Sequence, residues 1–136
     1  MFMDYSVLVK AARAARANSY APYSEFAVGA ALQAKSGEVY VGCNIENLSF
    51  GLTLCAERNA IASAIASGIR DFVAIAIVTD SKQPPVPCGA CRQVLAEFNP
   101  NLKVISATVS GDVQDFQLAD LLPHPDQGVL EGRRHV

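Results

Sequence analysis

Two short clusters constrain this chain more than anything else in it: Cys55-Ala56-Glu57-Arg58, and Pro87-Cys88-Gly89-Ala90-Cys91-Arg92-Gln93. Each stands where a helix can begin. Asn59 to Ser67 is a good helix-forming run closed by Gly68, and Arg92 to Phe98 is closed by Asn99-Pro100. The free N–H groups and positive end of a helix favour thiolate over thiol. Two such ends brought together offer three thiolates, Cys55, Cys88 and Cys91, to one soft dication. Zinc fits best, because it takes sulfur in a tetrahedron and a catalytic site leaves one corner for water. Glu57, two residues from a ligand, can reach that water without being a ligand. Any fold for this chain must bring the two helix starts together.

The rest of the pattern says what kind of fold that is. Residues 4–17 read as a helix, capped by Asp4 or Ser6, with Val7, Leu8, Ala11, Ala12 and Ala15 at helical spacing. Its other side carries Lys10, Arg13 and Arg16, expected to be a solvated face. Phe26–Ala34 and Glu38–Ile45 read as two strands of a hairpin turning at Ser36-Gly37. Gly29 and the small alanines beside it point to another element lying close. A helix over 55–67 follows. Phe72–Thr79 is apolar throughout, as expected of a central strand covered on both faces. A proline-rich loop, 82–87, delivers Cys88 to a helix over 89–97, followed by a strand over 103–109 and a short helix over 117–122. The order predicts an α/β fold of three layers, α/β/α, around a mixed sheet of about five strands. The chain is expected to form a single domain over 1–136, with 124–136 a loose tail.

Composition narrows the function classes. The chain has 136 residues, 51% hydrophobic and 18% charged, which describes a globular chain with a real core. Its net charge of −2 gives no general attraction to nucleic acid or anionic lipid. No apolar run approaches membrane-spanning length, and no secretory signal is visible at the N-terminus. The four cysteines are therefore expected in a reducing cytoplasm, as ligands or free thiols. Cys43, on a strand, reads as a core residue.

Charge counting adds a requirement. Three thiolates around one dication leave net negative charge, which weakens the metal's power to acidify water. Something must draw charge from the sulfurs. Arg58 is the candidate and Gln93 the lesser one, both able to donate to a thiolate.

Cys-x-Glu followed by Pro-Cys-x-x-Cys is similar to the zinc deaminase signature, with Cys in place of the His variant. Together with Phe26-Ala-Val-Gly-Ala-Ala and Gly42-Cys-Asn44-Ile-Glu46-Asn47, the chain resembles the small homotetrameric cytidine deaminases from about Pro22 to Pro123. That resemblance implies hydrolytic deamination of cytidine and deoxycytidine, one Zn²⁺ per chain, and a homotetramer with sites near subunit boundaries. It implies Glu57 as proton shuttle, Arg58 as the charge-withdrawing arginine, and Asn44 with Glu46 on the ribose. Phe26 would touch the base, and the backbone of Ala56 the base or water. Two positions depart from the family. Phe50 stands where members usually carry a tyrosine, and His124 is the only ring after Leu121-Leu122-Pro123, where a phenylalanine usually follows.

Other readings compete. A deaminase of another aminopyrimidine nucleoside, such as blasticidin S, shares the zinc motifs; its usual sequence lacks the Asn-x-Glu-Asn run of 44–47. A non-catalytic zinc protein would close its site with a fourth ligand, from Cys43, His124 or His135. A thiol oxidoreductase built on Cys88 and Cys91 leaves Glu57 without a role. Polynucleotide editing conflicts with the charge balance.

Overall fold

The computed structural model describes residues 4–127. Five strands form one mixed sheet in the order β2-β1-β3-β4-β5, where β1 is Val28–Ala34, β2 Val39–Cys43, β3 Phe72–Thr79, β4 Lys103–Thr108 and β5 Val113–Gln117. Only β3 and β4 run parallel; the other pairs are antiparallel. Helix α1 (Ser6–Arg16) covers one face, α2 (Ala56–Ala66) and α3 (Gly89–Phe98) the other, and α4 (Leu118–Leu121) ends the described chain. This is the expected α/β/α layering with its central strand at Phe72–Thr79.

The strand pattern explains the layers. Along β3 the side chains alternate in size as well as in direction. Ile75 and Ile77 point to the face under α2 and α3, with Leu32 and Val104 beside them. Ala74, Ala76 and Val78 point to α1, with Ala31 and Ala107. The smaller residues let α1 lie close on its side. Gly29 marks the tightest point, where an added Cβ would stand 2.0 Å from the Ala12 carbonyl oxygen. Gly42 does the same for α2, where a Cβ would meet the Ala56 oxygen and the Ala60 nitrogen, each at 2.4 Å. Asn59 fixes that contact by donating from Nδ2 to the Cys43 carbonyl at 2.8 Å.

Several expectations are refined. The N-cap of α1 is Tyr5, with no side-chain cap bond, rather than Asp4 or Ser6; Asp4 accepts from the Ser6 N–H at 2.9 Å just ahead of the helix. Arg16 is not merely solvated, since its Nε donates to the Ala27 carbonyl at 3.0 Å. Cys43 is half-buried at the end of β2. Strand β5 fell outside the elements placed from sequence, because Val113-Gln-Asp-Phe-Gln117 is mostly exposed and polar, as an edge strand can be. Of the expected tail, residues 124–127 are described and Gln93 Nε2 donates to the Pro125 carbonyl at 3.1 Å; residues 128–136, with His135, lie outside the described residues. Among the described residues no helix is long and apolar enough to cross a membrane.

Topology gathers one end of the sheet into a site. Helix α2 leads into β3 and α3 leads out of it, so both helices start at the carboxyl end of β3. Val28 pairs with Thr79 and Gly29 with Cys43, so β1 begins and β2 finishes at that same end. The close fit of α2 is testable at its tightest point. Gly42→Ala is expected to destabilise the fold by about 1–3 kcal/mol, because helix and sheet must separate. Urea denaturation measures this, and an unchanged midpoint would contradict the packing described.

Candidate metal centre and active site

Cys55 is the N-cap of α2 and Cys88 the N-cap of α3, and neither caps through its side chain. Cys91 is buried in the first turn of α3. Their three Sγ atoms lie within 4.8 Å of one another. Cys55 and Cys88 are 3.8 Å apart, which is the edge of a tetrahedron whose bonds are about 2.3 Å, the zinc–sulfur length. All three are free cysteines and no disulfide joins them. The sulfurs therefore fit zinc in number, chemistry and spacing. Among the described residues no further Cys, His, Asp or Glu joins the group, so neither Cys43 nor His124 closes it.

The electrostatics follow from crowding. Cys55 lies against the Cys91 and Cys88 thiols, and Arg58 Nη2 donates to its sulfur at 3.4 Å. These contacts bring the Cys55 pKa down to about 5. Cys91 is pushed up by its contact with the Cys55 sulfur and by its own burial. Three sulfurs this close cannot all ionise by themselves, whereas a dication among them allows it. Glu57 is buried beside them, and burial pushes its carboxyl up to about 7, with the Cys55 charge acting in the same direction.

A cleft of about 210 Å³ opens over the cluster. Cys55, Ala56, Glu57 and Cys88 form its floor, and Phe26 and Asn44 stand on its wall. Val28, Thr53, Ile77, Pro85 and Val86 complete it. Of these five, Thr53, Pro85 and Val86 come from irregular segments that no motif marks, while Val28 and Ile77 come from β1 and β3. Of them, Thr53 is notable for a buried hydroxyl without a hydrogen-bond partner among the described residues.

Not every expected site residue joins the cleft. Gln93 is exposed and its amide is spent on the Pro125 carbonyl rather than on a sulfur, so the expectation of charge withdrawal by Gln93 is corrected. Arg58 alone of the two candidates meets a sulfur. Asn44 and Glu46 are both buried, and their polar atoms hold the backbone of the loop before β1. Asn44 Oδ1 accepts from Val28 N–H at 2.9 Å, and its Nδ2 donates to the Phe26 carbonyl at 2.8 Å. Glu46 Oε1 accepts from the N–H groups of Tyr23 and Ser24, each at 3.0 Å, while the Ser24 hydroxyl donates to Oε2. Ser24 Oγ also accepts from Phe26 N–H at 3.0 Å. These bonds hold Glu25 in the left-handed region, at φ 58°, and set Phe26 at the cleft. Glu46 itself is absent from the cleft wall, as are Phe50 and His124.

A zinc-fitting sulfur trio at paired helix starts, with a buried carboxylate beside it on a mixed α/β/α sheet, defines the class of zinc-dependent hydrolytic enzymes. Within that class, the sequence model described as "Cytidine and deoxycytidylate deaminase zinc-binding region" matches residues 3–107, and the chain belongs to this family. It is 53% identical over 122 residues to the cytidine deaminase of Halalkalibacterium halodurans, covering 89% of this chain and 92% of that one. The crystal structure of cytidine deaminase from Burkholderia pseudomallei superimposes with a TM-score of 0.86 at 51% identity, covering 89% of this chain and 98% of that one. A blasticidin-S deaminase of Bacillus cereus is more distant, at 32% identity over 104 residues, or 71% of this chain and 74% of that one.

The tie between Glu46 and its loop has a pH signature. The Ser24 hydroxyl, aided by the two N–H groups, holds the Glu46 carboxyl below its ordinary value of 4.5. A depressed carboxyl stabilises the fold above that ordinary value and loses its contribution as pH falls through the lowered one. Glu46→Gln is therefore expected to melt below the wild type at pH 7, with the gap closing on acidification below pH 4.5. Melting curves across that range decide, and a gap independent of pH contradicts the bonding described.

Proposed function

We propose that this chain hydrolyses cytidine and deoxycytidine to the corresponding uridines with release of ammonia, as a single catalytic domain acting in pyrimidine salvage. The observation that carries this reading is the placement of buried Glu57 beside three sulfurs at tetrahedral zinc spacing, on the floor of one cleft. The names of the close relatives supply the substrate class.

Cys55, Cys88 and Cys91 would hold the zinc, with Arg58 drawing charge from Cys55. Zinc bound there supplies a water acidified towards neutral pH and a positive charge next to the reacting carbon. The chain's own residues do the rest. Glu57 takes one proton from the attacking water and delivers it to pyrimidine N3 as the oxygen adds at C4. It then takes the second proton of that oxygen and delivers it to the exocyclic amine. The C4–N bond breaks, the C4 carbonyl forms and ammonia leaves, so every atom of water is accounted for. Burial suits Glu57 to this work, because a carboxyl raised towards neutrality both accepts and returns a proton. Phe26 packs on the base, the Ala56 backbone lies under it, and Asn44 and Glu46 orient the sugar end of the cleft. For Glu46 this action runs at least in part through the loop it holds.

The reading extends to assembly. Leu48, Phe50, Leu52 and Leu54 are all exposed, beside Cys55. An apolar run of this kind is suited to burial against further copies of the chain, in a homotetramer whose boundaries lie near the clefts. Phe50 would then meet a neighbouring cleft without a hydroxyl. A cytoplasmic location fits the free cysteines.

Absorbance assays with cytidine, deoxycytidine and blasticidin S, run beside zinc analysis, test the substrate class; turnover of blasticidin S alone would overturn it. Glu57→Gln is expected to keep fold and zinc while losing at least about a thousandfold in kcat, since an amide cannot shuttle a proton. Near-normal turnover would refute the role. Light scattering is expected to give four copies, and Leu52→Asp to give fewer.

A further inference from the structure

Arg92 follows Cys91 in α3, yet it takes no part in the sulfur cluster or the cleft wall. Its guanidinium turns back on the chain. Nε donates to the Pro87 carbonyl at 2.7 Å, and Nη1 donates to the Leu121 carbonyl at 2.9 Å. Pro87 is fully buried and immediately precedes Cys88. Leu121 is the last residue of α4.

Among the described residues, and the Cys88 sulfur contact aside, the loop that Arg92 grips has one other side-chain hydrogen bond, from Ser81 Oγ to the Gln83 carbonyl. Residues 80–88 form no helix or strand. Three of them, Pro84, Pro85 and Pro87, have no backbone N–H to donate. This loop nevertheless sets the position of the Cys88 sulfur and supplies Pro85 and Val86 to the cleft. A planar guanidinium can serve two carbonyls at once in fixed geometry, and a lysine ammonium on its flexible stem cannot do so equally well.

We propose that Arg92 is a positioning residue: by clamping Pro87 to the C-terminal segment at Leu121, it fixes the Cys88 sulfur and the Pro85–Val86 wall. The proposal rests on zinc being held by Cys55, Cys88 and Cys91, and it makes retention of the metal depend on a contact with α4.

The test uses the full-length, zinc-loaded protein. Release of zinc to a chromogenic chelator is timed for the wild type, Arg92→Met and Arg92→Lys, and the visible d–d bands of the cobalt-substituted forms report the geometry at the sulfurs. Arg92→Met is expected to release zinc about tenfold faster or more, with altered cobalt bands. Arg92→Lys is expected to lie between it and the wild type. A folded Arg92→Met with wild-type release and wild-type bands overturns the proposal. If Arg92→Met does not fold, wild-type release and bands in Arg92→Lys overturn it instead. A wild-type protein that binds no zinc overturns this proposal and the metal reading together, whereas a zinc-binding wild type matched by Arg92→Met overturns this one alone.

Discussion

Repulsion among three crowded sulfurs is the problem that the rest of this structure is arranged to solve. Side chains alone do not solve it, since among the described residues a single guanidinium, Arg58, serves the sulfurs, donating to Cys55 and interacting with Cys91. The backbone does much of the work. Two helix starts face one another, and their unpaired N–H groups and dipoles place positive charge where the sulfurs are. That meeting is possible because one helix enters β3 and the other leaves it, so both begin at the same end of the strand. Metal site, cleft and sheet order are consequences of one chain path.

The cleft is bounded differently on its other sides. Where the floor is made by helices, the wall bearing Phe26 is made by a loop that secondary structure does not hold. Asn44 and Glu46 hold it instead, through backbone groups from Tyr23 to Val28. Ser24 links the carboxylate of Glu46 to the N–H of Phe26 and so ties the buried acid to the ring at the cleft. Thr79 Oγ1 and Arg16 Nε both donate to the Ala27 carbonyl, which anchors the same loop to β3 and α1.

Much of this was legible in the sequence. Residues spaced for one metal stay together whatever the loops do, so Cys55, Cys88, Cys91 and Glu57 could be read from two short runs. The uniformly apolar Phe72–Thr79 announced a central strand, and Gly29 beside alanines announced a close helix. The remainder was hidden for physical reasons. The edge strand Val113–Gln117 buries too little to carry a periodic signal. Gln93 sits two residues past a ligand, but the turn of α3 points it to Pro125 and away from the sulfurs. The grip of Glu46 on Tyr23 and Ser24 spans more than twenty positions, and a local pattern cannot encode such a distance.

The bare backbone contacts at Gly29 and Gly42 carry a further consequence. With helices seated this deeply, the frame that aims the sulfurs has almost no freedom to vary from one descendant of this chain to the next. Pro85, Val86 and the ring at Phe26 belong to loops held by side-chain hydrogen bonds, which leave more room for change than bare backbone contacts. Evolution of this design is therefore channelled: which nucleoside fits can drift at the rim, while the hydrolytic machinery beneath stays in register.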